Sequence, residues 1–195
     1  MYEIRKHKTE IREYYLAKRR GMDTAEREEK NEKICKHMLS SATFRYADII
    51  LMFYPKPDEI DIRHIAEAAL AAGKKIAFPR CNPEDHTMIF HYVSSLDELC
   101  PGSYNILEPD ASLPAFTPET AESANVVCIV PAVVFDKKGY RIGYGGGYYD
   151  RYLAGFRGTK IGFAYRDFIV NSVPHGRFDL TVDVMITERG LYAKS

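Results

Sequence analysis

The spacing of apolar residues at the start of the chain predicts two helices. Within residues 2–20, Ile4, Ile11 and Tyr15 fall on one side of a helix, with charged residues around most of the remainder. Residues 24–40 predict a second helix. Asp23 is followed three residues later by Glu26, which resembles a capping box at the start of that helix.

Continuous apolar runs predict buried strands in the first half of the chain. Residues 47–54 (ADIILMFY) form such a run, and two prolines stop it. The alanine-rich segment 61–72 predicts a helix that ends at a glycine, and residues 74–79 predict a second strand. These three segments predict a β-α-β unit with a parallel strand pair. Residues 87–93 predict a further strand.

The second half of the chain continues the alternation. Residues 100–124 contain four of the ten prolines and little periodicity, which predicts a long loop with a short turn of helix. Residues 126–135 predict a second buried strand. A short helix at 148–155 and strands at 160–165 and 182–187 then complete the set.

Helices that alternate with buried strands predict an α/β fold. We expect one domain over residues 1–195, built as a layered and mostly parallel sheet with helices on both faces, in the Rossmann-like manner. The sequence contains no internal repeat and no low-complexity segment that would change this expectation.

Composition and charge narrow the functional classes. The 27 Lys and Arg residues equal the 27 Asp and Glu residues, so no net charge attracts nucleic acid or an anionic membrane, and an anion site must be local. The four cysteines form no C-x-x-C pair, which indicates a reducing compartment. The charged N-terminal segment lacks the apolar core of a signal peptide, and the longest apolar run is too short to span a bilayer. We expect a cytoplasmic protein.

The stretch RIGYGGGYYDR at residues 141–151 places four of the 13 glycines within the five positions 143–147, here called the glycine loop. Because the loop comes after a predicted buried strand and before a predicted helix, its N–H groups are expected to close around an anion. Arg141 and Arg151 flank it with positive charge. The residues match neither a P-loop nor a G-x-G-x-x-G fingerprint. A tight turn packed under tyrosines remains the alternative.

Carboxylates near these segments are candidate metal and substrate ligands. Asp150 either caps the short helix or holds Mg²⁺ beside a phosphate, and Asp183 beside the final strand is a second ligand for the same ion if the two lie close. Asp61 is expected to cap the helix that follows it. That cap leaves Glu59 exposed at a strand end, free to accept hydrogen bonds from the N–H groups of a ligand.

Two cations share the apolar side of the first helix. At about 100° per residue, Lys8 and Arg12 fall within the same arc of roughly 100° as Ile11 and Tyr15. Either their side chains extend along the apolar surface to reach solvent, or they lean inward toward an anionic ligand.

The segment 131–153, PAVVFDKKGYRIGYGGGYYDRYL, resembles the signature of the 5-formyltetrahydrofolate cyclo-ligases, also called methenyltetrahydrofolate synthetases. Further pieces resemble the family in the same order along the chain: Lys8-x-x-x-Arg12, Glu59, Ala77–Arg80, Tyr104-x-x-x-Glu108-Pro109, Val173-Pro174, Asp179 and 183–190. Many relatives carry a basic or another residue within the glycine run. This chain has Tyr144 and Gly146 there, so backbone contacts are expected to substitute.

The resemblance implies an ATP-dependent cyclo-ligase that uses Mg²⁺ and consumes ATP as a co-substrate. The substrate would be 5-formyltetrahydrofolate, with or without a polyglutamate tail. Phosphorylation of the formyl oxygen would give an iminium phosphate, attack by N10 would close the ring of 5,10-methenyltetrahydrofolate, and ADP and phosphate would be released. Such chemistry requires positioning and charge stabilisation more than a protein nucleophile.

Residue roles follow from the same resemblance. It implies catalytic roles for Arg141, Tyr149 and Asp150, and Mg²⁺ ligation by Asp150 and Asp183. It implies folate contacts from Tyr54, Glu59, Tyr104 and Tyr148. The residues implied at ATP are Lys8, Arg12, Arg141, Ile142, Gly143, Tyr144, Gly145, Gly146, Gly147, Tyr148 and Tyr149.

Two other functions stay open at this point: another ATP-dependent phosphoryl transferase, or a non-catalytic nucleotide-binding module. The first would bind ATP without 5-formyltetrahydrofolate-dependent release of ADP, and the second would bind without turnover. No nucleic-acid or membrane partner is expected, and we expect a monomer rather than an oligomer.

Overall fold

A computed structural model describes residues 2–117, 119 and 124–194 of the chain. Its helices are α1 (Tyr2–Arg20), α2 (Thr24–Ser40), α3 (Ala42–Tyr46), α4 (Arg63–Ala71) and α5 (Tyr148–Leu153). Its strands are β1 (Ile49–Leu51), β2 (Lys75–Asn82), β3 (Thr87–Val93), β4 (Leu99–Pro101), β5 (Leu107–Pro109), β6 (Val126–Val130), β7 (Val134–Asp136), β8 (Arg141–Ile142), β9 (Thr159–Phe163), β10 (Ile169–Val170), β11 (Val184–Thr187) and β12 (Gly190–Tyr192).

A seven-stranded sheet in the order β12-β11-β9-β6-β1-β2-β3 forms the centre of the fold. The pairs β1–β2, β1–β6, β6–β9 and β9–β11 are parallel. The outer strands β3 and β12 pair antiparallel with β2 and β11. The predicted α/β class with a mostly parallel sheet is therefore confirmed, while the extent of one domain over residues 1–195 stays a prediction.

Alternate residues of the central strands enter two hydrophobic cores, one on each face of the sheet. On one face, Ile50 and Ile129 pack with residues of α2, α3 and α4, such as Ile65. On the other face, Leu51 and Cys128 pack with Leu153 of α5 and with Phe135 of β7. This period of two explains why the short central strands are apolar at every position. None of the described helices is long and apolar enough to cross a membrane.

The predicted strand at 126–135 is wrong as one element. The chain forms β6, leaves the central sheet at Pro131, and forms β7, which belongs to a separate three-stranded sheet in the order β10-β7-β8. A proline has no N–H for the strand ladder, so it favours this break. Helix α1 packs on the small sheet through Ile11 and Tyr15, which contact its core of Val134, Ile142 and Val173.

The long loop predicted at 100–124 is also partly wrong. Strands β4 and β5 form an antiparallel pair that begins at Leu99 and closes around a helical turn at Ser103–Asn105. Residues 118 and 120–123 of the predicted loop lie outside the described residues. The sequence analysis also missed α3, β10 and β12, which are only two to five residues long and therefore have little periodicity.

The helix caps were predicted with partial success. The Asp23 carboxylate accepts a hydrogen bond from the Glu26 N–H at 3.0 Å at the start of α2, as the capping pattern predicts. At α4, the cap residue is Ile62 rather than Asp61, although the Asp61 carboxylate still accepts from the Arg63 N–H at 3.0 Å.

Candidate active site

The glycine loop connects β8 to α5 and presents free backbone donors. Gly145 and Gly147 adopt the left-handed conformation, with φ of +103° and +72°. Within the described part of the chain, none of the backbone N–H groups of residues 143–149 donates a hydrogen bond. Since an unpaired N–H prefers a partner, this run forms a surface suited to an anion. Helix α5 is only six residues long, so its individual N–H groups matter more than its dipole.

Arginine side chains surround the same loop and bind its carbonyl oxygens. Arg12 of α1 donates from Nε to the Gly143 carbonyl at 2.7 Å, and a Cβ at Gly145 would lie 3.6 Å from its guanidinium. Arg151 donates from Nη1 to the Gly146 carbonyl at 2.9 Å. Burial lowers the pKa of Arg12. The Arg12 side chain therefore lies against the loop, which carries positive charge beside its free donors. Contact of Arg12 with an anionic ligand stays a prediction.

Two ion pairs lie beside β8, close to the start of the loop. Lys8 of α1 binds the Asp179 carboxylate at 2.6 Å, and buried Arg141 binds the Asp150 carboxylate at 3.0 Å. Burial raises the pKa of Asp179, but hydrogen bonds from Gly176 and Lys8 outweigh it, and the pKa lies below its ordinary value. Lys8 and Arg141 therefore both lie near the loop, and each has a carboxylate partner.

Arg19 connects three segments around the loop. Its guanidinium, only 4% exposed, donates to the Asp58 carboxylate at 3.0 Å and to the Tyr144 hydroxyl at 2.5 Å. It also donates to the Ala132 carbonyl at 3.3 Å. The Lys56 ammonium lies 4.3 Å from the centre of the Tyr144 ring, on the turn that also carries Asp58. The glycine loop is therefore attached to α1 and to the turn after β1.

Glu59 is buried rather than exposed, which corrects the expectation from the sequence. It is 6% exposed and accepts a hydrogen bond from the Lys56 N–H at 2.8 Å. Burial and then the Glu59 carboxylate, with its hydrogen bond, raise the pKa of Tyr144, whereas Arg19 lowers it. Folding of residues 56–59 into a turn against the Arg19 side chain buries the carboxylate. Its interaction with Tyr144 joins it to the glycine loop.

Aromatic side chains line a second side of the loop. The hydroxyl groups of Tyr104 and Tyr148 lie 2.7 Å apart, and the rings of His86 and Tyr148 meet at a centroid distance of 5.4 Å. Burial and then the bond to Tyr104 raise the pKa of Tyr148. Tyr54 lies elsewhere, against Phe78 at 6.5 Å. Tyr104 therefore lies beside the loop, whereas the Tyr54 ring packs on Phe78 of β2.

Two buried polar atoms have no hydrogen-bond partner among the described residues: the Tyr149 hydroxyl and Nδ1 of His86. Burial raises the pKa of Tyr149 well above its ordinary value, so this phenol stays protonated and can donate. Buried groups of this kind are rare and call for a ligand or another explanation. Tyr149 belongs to the segment 143–149 that carries the free N–H groups, and His86 contacts Tyr148 of the same segment.

The two predicted metal ligands have separate partners. Asp183, which directly precedes β11, binds the Lys160 ammonium at 2.9 Å, whereas Asp150 binds Arg141. No cluster of three or more His, Cys, Asp or Glu residues suited to a metal occurs among the described residues. Because Mg²⁺ commonly uses one or two carboxylates together with substrate phosphates, these donors fit an ion that arrives with a nucleotide. A shared ion stays a prediction.

Sequence reasoning missed Arg19 and His86. Arg19 follows Tyr15 by four residues and Ile11 by eight, so it lies on the same side of α1. Helical spacing alone could therefore have predicted that Arg19 faces the fold. His86 lies in the turn between β2 and β3, where no periodicity applies, and nothing in the sequence connects it with a loop some 60 residues later.

Comparisons with known proteins identify relatives along nearly the whole chain. The model of the 5-formyltetrahydrofolate cyclo-ligase family matches residues 4–188. The 5-formyltetrahydrofolate cyclo-ligase of Escherichia coli K12 is 25% identical over 87% of this chain and 94% of its own length. The enzyme of that name from Saccharomyces cerevisiae is 30% identical over 68% of this chain and 71% of its own.

A solved structure has the same fold. The NMR structure of Aquifex aeolicus 5,10-methenyltetrahydrofolate synthetase superposes with a TM-score of 0.82 at 29% identity. The match covers 95% of this chain and 92% of that protein.

Proposed function

Because this chain belongs to the 5-formyltetrahydrofolate cyclo-ligase family, we propose that it converts 5-formyltetrahydrofolate into 5,10-methenyltetrahydrofolate. The reaction uses Mg²⁺ and ATP, and it releases ADP and phosphate. The observation that carries the proposal is the run of free backbone N–H groups at 143–149 beside Arg12 and Arg141. Such a run suits the phosphates of ATP, which the reaction must bind and position.

The chemistry explains why ATP is consumed. An N-formyl group is a poor electrophile, and its oxygen is a poor leaving group. The formyl oxygen therefore attacks the γ-phosphorus, the bond from phosphorus to the ADP oxygen breaks, and an iminium phosphate forms. N10 then attacks the activated carbon and loses its proton to solvent, while the carbon–oxygen bond breaks and phosphate leaves.

Residues of this chain supply positioning and charge. We assign the phosphates to the N–H groups of the glycine loop, with Arg12, Lys8 and Arg141 as the cations that offset negative charge. The ion pairs Lys8–Asp179 and Arg141–Asp150 hold two of these cations in position before ATP arrives. Mg²⁺ bound with ATP neutralises phosphate charge, and Asp150 and Asp183 are the residues proposed to hold it.

The folate is assigned to the two sides of the loop. Glu59, held by the Lys56 N–H and joined to Tyr144, accepts hydrogen bonds from the N–H groups of the pterin. Tyr104 and Tyr148 offer ring faces to flat parts of the substrate. The Tyr149 phenol, without a partner in the described chain, donates to an oxygen of the bound reactants.

Absorbance of methenyltetrahydrofolate tests the proposal directly. Purified protein given 5-formyltetrahydrofolate and Mg-ATP should generate this absorbance with one ADP per product. Omission of 5-formyltetrahydrofolate should abolish the release of ADP, whereas another phosphoryl transferase would bind ATP and release no ADP in response to this folate. Folded protein that binds both substrates yet forms no product would refute the activity and favour a binding module.

Asp150→Asn tests the metal assignment. The amide oxygen still accepts a bond from Arg141, but it loses the charge that a hard cation needs, so we expect turnover to fall at least ~100-fold with little change in melting temperature. Asp167→Asn, at an exposed carboxylate on another part of the surface, is the matched control and should keep wild-type activity. Near-normal turnover in Asp150→Asn would remove Asp150 from the metal site.

A further inference from the structure

His86 is held in an unfavourable conformation directly opposite the glycine loop. It lies in the turn between β2 and β3 with φ of +56°, a region that only a few per cent of non-glycine residues adopt, although histidine adopts it more often than most. The contact with the Tyr148 ring at 5.4 Å holds the imidazole over the loop. Residues kept in such conformations often serve a ligand site, because the surrounding structure must compensate for their strain.

The imidazole places an unpaired nitrogen close to Gly146. Nδ1 is buried, has no hydrogen-bond partner in the described chain, and lies 3.8 Å from the point where a Cβ on Gly146 would stand. The Tyr148 ring lies 2.7 Å from the same point, so any side chain at residue 146 would collide with it. The absence of a side chain at Gly146 leaves room for the ring and brings Nδ1 close to the loop backbone.

Backbone donors and cations determine what this nitrogen can bind. The N–H groups of residues 143–149 are free, the Gly146 carbonyl is already bound by Arg151, and Arg12 lies beside Gly145. A donor that joins such a surface suits an oxygen of an anion. A neutral imidazole donates from Nδ1 in one tautomer, and an imidazolium donates from both nitrogens.

From this arrangement we infer that His86 is an additional ligand-binding residue, whose Nδ1–H donates to a phosphate oxygen of the nucleotide in the glycine loop. This inference rests on the proposed function, because it takes the bound anion to be ATP. Strain and an unpaired nitrogen in the free protein are then offset when the nucleotide binds. Removal of the nitrogen should weaken binding without weakening the fold.

Calorimetric titration with Mg-ATP tests this on the full chain. His86→Phe keeps a ring against Tyr148 and removes both nitrogens, so Kd for Mg-ATP should rise about tenfold or more, as for the loss of a hydrogen bond to a charged group. The melting temperature without ligand should stay the same or rise, because a buried unpaired atom has gone. A histidine that serves only the fold would instead lower the melting temperature.

Two further variants test whether the lost N–H donor causes the change in affinity. His86→Asn keeps an N–H donor on a residue that tolerates positive φ, and it should recover most of the affinity. His64→Phe on α4, an exposed histidine that pairs with Glu67, should bind Mg-ATP as the wild type does. Unchanged affinity in His86→Phe would refute the role of His86.

Wild-type protein that binds Mg-ATP but forms no methenyltetrahydrofolate would refute the proposed reaction, and the titrations would still decide the role of His86. Wild-type protein that does not bind Mg-ATP would refute both.

Discussion

Two glycines of the glycine loop have backbone conformations that cost other residues free energy. Gly147, with φ of +72°, directly precedes α5, and Gly145 has φ of +103° opposite the Arg12 guanidinium. A side chain at either position would strain the backbone or displace an arginine, and the direction of the free N–H groups depends on both conformations.

Gly147→Ala should therefore impair the activity that depends on the loop far more than it impairs the stability of the fold. An added Cβ would lie 2.9 Å from Nη1 of Arg151, and a non-glycine residue in the left-handed region costs about 1–2 kcal/mol. We expect a loss of about 1 kcal/mol in the free energy of unfolding and at least a ~10-fold loss in kcat/KM. Urea unfolding and the absorbance assay measure the two quantities.

Gly155→Ala is the control for that substitution. A Cβ there meets no atom within 4 Å and the backbone is not left-handed, so stability and activity should stay near wild type. If Gly147→Ala kept wild-type kcat/KM, the conformation of the loop would not matter for binding.

At the scale of the element, α1 contributes more than its apolar side. Ile11 and Tyr15 pack on the small sheet, while Lys8, Arg12 and Arg19 reach Asp179, the Gly143 carbonyl and Tyr144. Each cation is separated from the next by about one or two helical turns, so one side of the helix reaches both Asp179 and the first half of the glycine loop. The helix therefore positions the loop as well as covering the core.

Arg19→Met tests the connection from α1 to Asp58 and Tyr144. The substitution keeps a long apolar side chain but leaves Asp58 and buried Glu59 without the guanidinium. The loss of one partner from a buried ion pair typically lowers the free energy of unfolding by about 3 kcal/mol or more. We expect that loss in the free energy of unfolding, measured by urea denaturation, together with a higher KM for 5-formyltetrahydrofolate.

The neighbouring Arg20 provides a matched control. It is exposed, so Arg20→Met should change the free energy of unfolding by less than about 0.5 kcal/mol. Equal effects of the two substitutions would mean that the buried network around Arg19 contributes nothing beyond a surface charge.

At the scale of the whole molecule, the central sheet keeps ionisable groups out of water. Cys128 of β6 is fully buried between β1 and β9, and burial raises the pKa of its thiol to about 12 from an ordinary value of 9.0. Burial raises the pKa of Cys35 in the same way, also to about 12. Both thiols stay protonated in the folded protein at pH values where the unfolded chain ionises.

Alkaline pH should therefore destabilise the fold. The contribution of Cys128 is fully present below pH 9.0 and is lost as pH rises toward about 12, at up to ~1.4 kcal/mol per pH unit. The loss of this contribution is measured by the urea midpoints of the wild type and Cys128→Ala between about pH 8 and 11, a range that spans the pKa of the unfolded thiol. The variant starts less stable but should lose stability less steeply, and equal slopes would contradict the buried thiol as a cause.

Local patterns accounted for much of this architecture. The apolar segments at 47–54 and 74–79, with a helix between them, predicted the parallel β1–β2 unit, and the glycine run predicted a loop before a short helix. Asp23 and Glu26 predicted the start of α2. These features depend on neighbours in the chain, through backbone hydrogen bonding and periodic burial, and they can therefore be predicted without the fold.

Contacts between distant segments decided the rest. Glu59 is buried because Arg19, about 40 residues earlier, and Tyr144, some 85 residues later, meet around it, so a local argument from the cap at Asp61 predicted the wrong exposure. Asp150 and Asp183 received separate cations, and His86 came to face Gly146. Burial and pairing of a charge depend on every element that packs around it, so only the assembled structure determines whether a carboxylate or an imidazole is free to bind a ligand.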